Sequence, residues 1–337
     1  MFDRSLRDRE RQAGLGENPE AQTEYLLARV RLGTITIREL VIQALCGNEA
    51  AQAAYNNELS RGTTQPVQLS QDDLNQAIRK IFHGIDISQT SREFLGSILQ
   101  HDREARATLN YYELIQEDDV PPPDTTTALK ALFDDLRNVP THVVAISQMQ
   151  KPVLQIIPVY EHEGAGLQRM LNALDARRRE GQQYTHVRAE LMDSLGMYNG
   201  KVGKIVGWQV VVVEGATVLD RESNPYAGEP LEVKEHDELT GQLPSWQKDC
   251  HDRGLQLCNM RMYTLLQMQE LRNANGTPLD RGGSWTVLEN PARQRGWLVT
   301  FAFWDAGRVY FSEELSKYEY DYTRFRPAVV VNVIGGL

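Results

Sequence analysis

Residues 116–124 read Gln116-Glu117-Asp118-Asp119-Val120-Pro121-Pro122-Pro123-Asp124, and this stretch divides the chain. Three successive prolines cannot continue a helix, because each lacks an amide proton and fixes its own φ; they favour extended polyproline geometry. Acids on both sides would keep the segment solvated. The reading is a Pro-rich linker over 118–124, between a helical partner-binding domain over 1–117 and an α+β domain over 125–337. Such a joint is also a natural place for proteolytic release.

Upstream, residues 1–19 are polar and charged and read as a mobile arm or a short frayed helix. Glu20 to Arg31 then reads as a helix. Thr36-Ile37-Arg38-Glu39 fits a capping box, in which the Thr hydroxyl accepts an amide three residues on and the Glu reaches back. Leu40, Val41, Ala44 and Leu45 follow as one face, and Gly47 supplies a left-handed stop. A short Ala-rich helix over 49–55 comes next. Ser70 opens another helix, with Leu74, Ile78, Ile81 and Phe82 inward. Phe94, Leu95, Ile98 and Leu99 mark the next, and Ala105, Leu109, Tyr112 and Ile115 the last. Short amphipathic helices with polar outer faces are the pattern of a small helical bundle.

Downstream the pattern changes. Thr127 to Asn138 predicts a helix, and His142 to Ile146, Val153 to Tyr160 and Val206 to Val213 predict strands. A helix with Leu167, Met170, Leu171 and Leu174 inward ends near Arg177-Arg178-Arg179. All five tryptophans lie from Trp208 onward, so the two parts have cores of different kinds. Trp246 to Arg253 and Tyr263 to Arg272 predict helices. Trp297 to Trp304 should pair with Arg308 to Phe311 across a short Gly-containing turn. Ala328 to Val333 closes the chain as a buried strand.

The bulk numbers bound the function. The chain has 337 residues, 41% of them apolar, and a formal charge of −10. Such acidity argues against direct nucleic-acid binding, which needs a positive field, and suits docking on a basic protein. No apolar run reaches the roughly 18–20 residues that span a bilayer. The charged N-terminus lacks a signal-peptide core, and three cysteines are too few for a disulfide framework, so a soluble, cytoplasmic protein is expected.

Catalytic and metal motifs are sparse. The glycines at 200, 203 and 207 follow no phosphate-binding pattern and read as a turn before a strand. Glu161-His162-Glu163 and His236-Asp237-Glu238 are clusters of possible ligands, which solvated loops explain better. Cys250-His251 suggests a nucleophile with its base, but neighbours on a helix point about 100° apart. No metal, no cofactor and no catalytic residue is expected. Arg177-Arg178-Arg179 could grip an acidic group, or simply complement a helix dipole.

Two resemblances add to this. From about residue 243, the helices at Trp246-Gln247-Lys248-Asp249-Cys250 and Tyr263 to Leu271, the strand Ser284-Trp285-Thr286, the hairpin and the ending Arg324-Phe325-Arg326-Pro327 resemble the bacterial C-type-lectin fold. That class includes formylglycine-generating-enzyme-like domains and the variable proteins of diversity-generating retroelements. No cysteine follows Cys258, so the resemblance implies a binding scaffold and not that enzyme's activity. Residues 70–115 resemble the helices of bacterial anti-sigma factors, although Ala105 and Thr108 stand where the zinc-binding cysteines after His101 would be. This implies a sigma factor as partner, met by Leu74, Ile78, Phe82, Phe94 and Leu99. The same five residues could instead form the bundle's own core.

The expectation is an α+β protein: an N-terminal helical bundle, then a mixed region with a C-type-lectin-like end. It would be a non-catalytic regulator or adaptor that binds other proteins, of anti-sigma type or part of a bacterial defence signalling module. The alternatives are a ligand-recognition protein of the lectin fold and an enzyme with a dispersed site.

Overall fold

The computed structural model describes residues 18–62, 65–83, 87–177, 185–187, 189–197, 201, 203–219, 254–273, 276–281, 284–288, 298–315 and 323–334. The expected helix over 246–253, Cys250-His251 and His236-Asp237-Glu238 lie outside them. The chain contains both helices and strands, and it divides into two compact units. One comprises residues up to Ile87 together with Asp124–Pro140; the other comprises Ser88–Pro123 and Thr141–Leu337. Compactness therefore does not divide the chain at the joint: the joint's first residues belong with the second unit.

The first unit is helical. Its described helices are α1 (Pro19–Arg31), α2 (Ile37–Leu45), α3 (Glu49–Ser60), α4 (Gln71–Ile81) and α6 (Thr125–Asn138). Thr36 and Ser70 each form the reciprocal capping box, closing two free amides at the helix start. Leu40, Val41, Ala44 and Leu45 of α2 are fully buried, and α2 packs against α3, α4 and α6. The turn after α2 needs a glycine. Gly47 sits at φ +89°, and a Cβ there would fall 1.7 Å from the Arg137 guanidinium, which donates to the Cys46 carbonyl at 3.0 Å.

In the second unit, α5 (Gln89–Tyr111) is one helix where the sequence pattern predicts two. Asp102 interrupts the apolar stripe on paper, but the stripe continues through it: Ile98, Leu99, Asp102, Ala105, Thr108 and Leu109 are all buried. Asp102 is bound by Arg106 at 2.9 Å, and the Thr108 hydroxyl donates to the Glu104 carbonyl at 2.8 Å. The expected strand over 142–146 is instead helix α7 (Pro140–Gln148). Its buried residues His142, Ala145 and Ile146 follow the helical period, and Pro140 presets φ at the first position.

The strands form two sheets. The first, in the order β1-β3-β9-β4, is antiparallel throughout, with β1 (Pro152–Tyr160), β3 (Ile205–Glu214), β4 (Gln256–Leu257) and β9 (Pro327–Ile334). Near-continuous burial of β1 and β3 explains their largely apolar sequences, which Gln155 and Gln209 interrupt. The second, in the order β2-β7-β6-β5-β8, contains β2 (Thr185–Val187), β5 (Trp285–Leu288), β6 (Leu298–Asp305), β7 (Arg308–Leu315) and β8 (Thr323–Phe325). The predicted hairpin is β6–β7; Ala306 and Gly307 turn it with φ of +46° and +83°, as a tight twisted hairpin demands. Helices α8 (Glu163–Ala176) and α10 (Met260–Arg272) pack together, and both pack on β1; α9 (Ala189–Ser194) is a short helix beside β7.

The joint is docked rather than free. The Asp119 side chain, 2% exposed, pairs with Arg169 of α8 at 2.5 Å. It also accepts the amides of Gln116 and Ile205, each at 2.8 Å. The Val120 amide donates to the Ile205 carbonyl at 3.1 Å, and the Val120 carbonyl accepts the Trp208 indole N–H at 2.8 Å. Burial alone would raise the Asp119 carboxyl; Arg169 and the two amides outweigh it and hold it below the usual aspartate range. An acid expected to keep the segment in water is what ties it down.

Candidate functional site

The helical unit carries a recess of about 260 Å³. The chain builds it at the α1–α2 turn. Gly33, at φ +70°, reverses the chain after α1, and the Thr34 amide and hydroxyl both bond the Arg29 carbonyl, at 2.9 and 3.0 Å. Buried Ile35 and Ile42 form an apolar floor, and Arg29, Glu39 and Lys80 form a charged rim. Beside Ile35 in the same turn, Leu32 is 45% exposed.

The rim charges differ in freedom. The Glu39 carboxylate accepts the Thr36 amide at 2.7 Å and its hydroxyl at 3.1 Å. These bonds, with a smaller contribution from the Arg29 charge, hold it below the usual glutamate range, so it is anionic and fixed. The Arg29 guanidinium lies 5.7 Å from the centre of the Tyr25 ring. Lys80 is exposed and makes no ion pair with the described residues. A recess of this size is small for a metabolite and suits one or two side chains of a protein partner.

The five residues expected to meet a partner are divided between the two units. Leu74, Phe82, Phe94 and Leu99 are buried and Ile78 partly so. Leu74, Ile78 and Phe82 belong to the helical unit, and Phe94 and Leu99 lie on α5 in the other. The recess residues carried no separate sequence signal except the capping box at Thr36, which fixes where the turn lies.

The remaining candidates resolve into structural roles. Among the described residues no group of three or more His, Cys, Asp or Glu could hold a metal ion. Glu163 pairs with Arg261 at 2.6 Å, and His162 is the residue before α8. Arg177 pairs with Glu113 at 2.5 Å. Burial pushes the Cys46 thiol up, away from the reactive thiolate. No described helix is long and apolar enough to cross a membrane.

Two features of the second unit were not foreseen. Arg326 and Asp280 form an ion pair at 2.9 Å with neither side chain exposed. The Asp280 carboxylate also accepts the hydroxyls of Tyr263, Ser284 and Thr286, at 2.9, 2.9 and 2.7 Å. Arg326 donates further to Thr286 and to the carbonyls of Glu214 and Ala216. Burial, then the Asp280 charge, holds the Tyr263 phenol well above its ordinary value, so it is a neutral donor. The residues involved come from α10, β3, β5 and the step between β8 and β9, so the network ties the two sheets together.

The second feature is a row of rings on directly opposed residues: His186, Tyr310, Phe303 and Trp285. Phe303 stacks on Trp285 at 4.5 Å and 11°, and on Tyr310 at 5.1 Å and 7°. These separations match the spacing between strands. Tyr310, Phe303 and Trp285 therefore lie face to face and turn their edges outward, while the His186 ring is tilted by 50° against Tyr310.

Comparison of the chain with protein-family models, with curated proteins and with solved structures finds no match.

Proposed function

We propose that this chain is a non-catalytic regulatory or adaptor protein that acts by binding another protein through its helical unit. The observation that carries this reading is the recess: an apolar floor of Ile35 and Ile42 and a rim of fixed and free charges, with exposed Leu32 in the turn that leads to Ile35. Binding sites between proteins combine such an apolar centre with a polar rim. The net charge of −10 favours a partner with a basic surface, and a bacterial sigma factor is the concrete candidate that the likeness of residues 70–115 suggests.

The test is capture from native cell extract with the full chain and with a Leu32→Asp, Lys80→Glu variant. Both side chains are exposed, so the variant should melt like the parent while losing its specific partner. A sigma factor in the parent's eluate supports the anti-sigma form. Equal recovery by both proteins removes the recess from the reading.

A second reading is ligand recognition by a C-type-lectin-like end. The ring row of the five-stranded sheet is the observation in its favour. A ligand there would meet ring edges rather than flat faces, so it would have to use hydrogen bonds more than stacking. Binding of a glycan panel, reduced by Tyr310→Phe, would support it.

A further inference from the structure

Gln155 lies in the middle of β1, 2% exposed, on a strand otherwise filled with apolar side chains. Among the described residues, neither its side-chain oxygen nor its side-chain nitrogen has a hydrogen-bond partner. An amide left so in a protein interior loses its bonds to solvent and gains nothing in return. The side chain borders a cavity of about 10 Å³. The cavity is walled by Ala105, Thr108 and Leu109 of α5 and by Leu265 and Gln269 of α10.

Size and chemistry together identify the occupant. A space of roughly 10–15 Å³ holds one water and nothing larger, and water enters such a space only where two to four polar groups meet it. Here three do. The Thr108 hydroxyl gives its proton to the Glu104 carbonyl at 2.8 Å and keeps its lone pairs. The Gln269 amide nitrogen donates to Glu104 at 3.2 Å, which leaves the Gln269 side-chain oxygen as an acceptor. Gln155 supplies a donor.

We infer that this cavity is a binding site for a single internal water, which accepts from Gln155 and donates to Thr108 and Gln269. The water joins β1, α5 and α10. Gln155 is thus half of a two-part fitting in an apolar strand, and a leucine there would remove the reason for the water. The inference is independent of any partner at the helical unit.

A crystal structure of the full chain should show one ordered solvent peak within hydrogen-bonding distance of Gln155 and Thr108. The peak should be absent from Gln155→Leu. In solution, oxygen-17 relaxation dispersion should report one long-lived water fewer in the variant than in the parent. A parent map with no density in the cavity, or the same dispersion amplitude for both proteins, overturns the inference. If Gln155→Leu fails to fold, the parent map alone decides.

Discussion

Two of the aspartate–arginine pairs in the second unit, Asp280–Arg326 and Asp119–Arg169, differ mainly in depth. Asp280–Arg326 has both side chains at 0% exposure, while Asp119–Arg169 has 2% and 14%. The deeper pair is wrapped by hydroxyls and carbonyls. The shallower pair fastens the proline joint to the start of β3 and to α8. A fully buried pair gains little net stability over a well-packed apolar pair, but breaking it leaves a bare charge in the interior. A pair nearer the surface lets water replace the lost partner. The cost of removing one member should therefore fall with exposure.

The largest effect is expected at the deep pair. Arg326→Met leaves the Asp280 carboxylate buried with only hydroxyl donors, and should lower unfolding stability by about 3–5 kcal/mol, read from urea titration. Adding Asp280→Asn should restore part of the loss, because the charge is gone and Asn tolerates the left-handed backbone at residue 280, where φ is +60°. A single-variant loss below about 1 kcal/mol would break the depth argument, since it would mean that water reaches Asp280.

At the joint the expected loss is smaller, about 1.5–3 kcal/mol for Asp119→Ala, as for hydrogen bonds to a charged group. This pair should also respond to acid. The folded Asp119 carboxyl is held below its unfolded value, so its contribution is complete above the ordinary aspartate range and disappears as pH falls through the lower, folded value. The Trp208 indole proton, which donates to the Val120 carbonyl, reports the docking. Its NMR resonance should move only below the ordinary aspartate range in the parent, and should show no such step in Asp119→Asn. Protease should cut near Val120 sooner in that variant. A parent cut there as quickly as the variant would return the joint to a free linker.

The two pairs also mark what could be read from the sequence. Local rules carried the capping box at Thr36, the strands around Val153 and Val210, and the turn at Ala306-Gly307. Each depends on residues a few positions apart. The strand expected over 142–146 failed because a run of β-branched residues outweighed Pro140 and the three-and-four spacing of His142, Ala145 and Ile146. Asp102 broke α5 on paper because its arginine partner, four residues on, was not counted. The joint misled for a related reason: prolines and acids indicate solvent only if the acids find no cation, and Arg169 is 50 residues away. Asp280 and Arg326 are separated by 46 residues, and nothing local distinguishes either from a surface charge. The recess was equally hidden, since the α1–α2 turn and α2 bring Ile35 and Ile42 to Lys80 of α4 only in the fold.

The comparison sharpens most where the effect should be least. In the helical unit Arg31 donates to Glu58 at 3.1 Å, with the Glu58 side chain 9% exposed and Arg31 45% exposed. The carboxylate is buried, as that of Asp280 is, and the bond is nearly as short. Exposure of the arginine is what differs, because water can replace a guanidinium that already stands in solvent. Arg61, 55% exposed and 3.7 Å from the same carboxylate, is a second cation that stays when Arg31 is removed. Arg31→Ala should therefore cost about 0–1 kcal/mol, the range of surface pairs, and less in high salt, where such charges are screened. The measurement that isolates the pair is a double-mutant cycle with Glu58→Gln at low and high salt. A coupling energy approaching that of Asp280–Arg326 would show that hydrogen-bond geometry, not depth, sets the strength of these pairs, and the ordering argued for all three would fail.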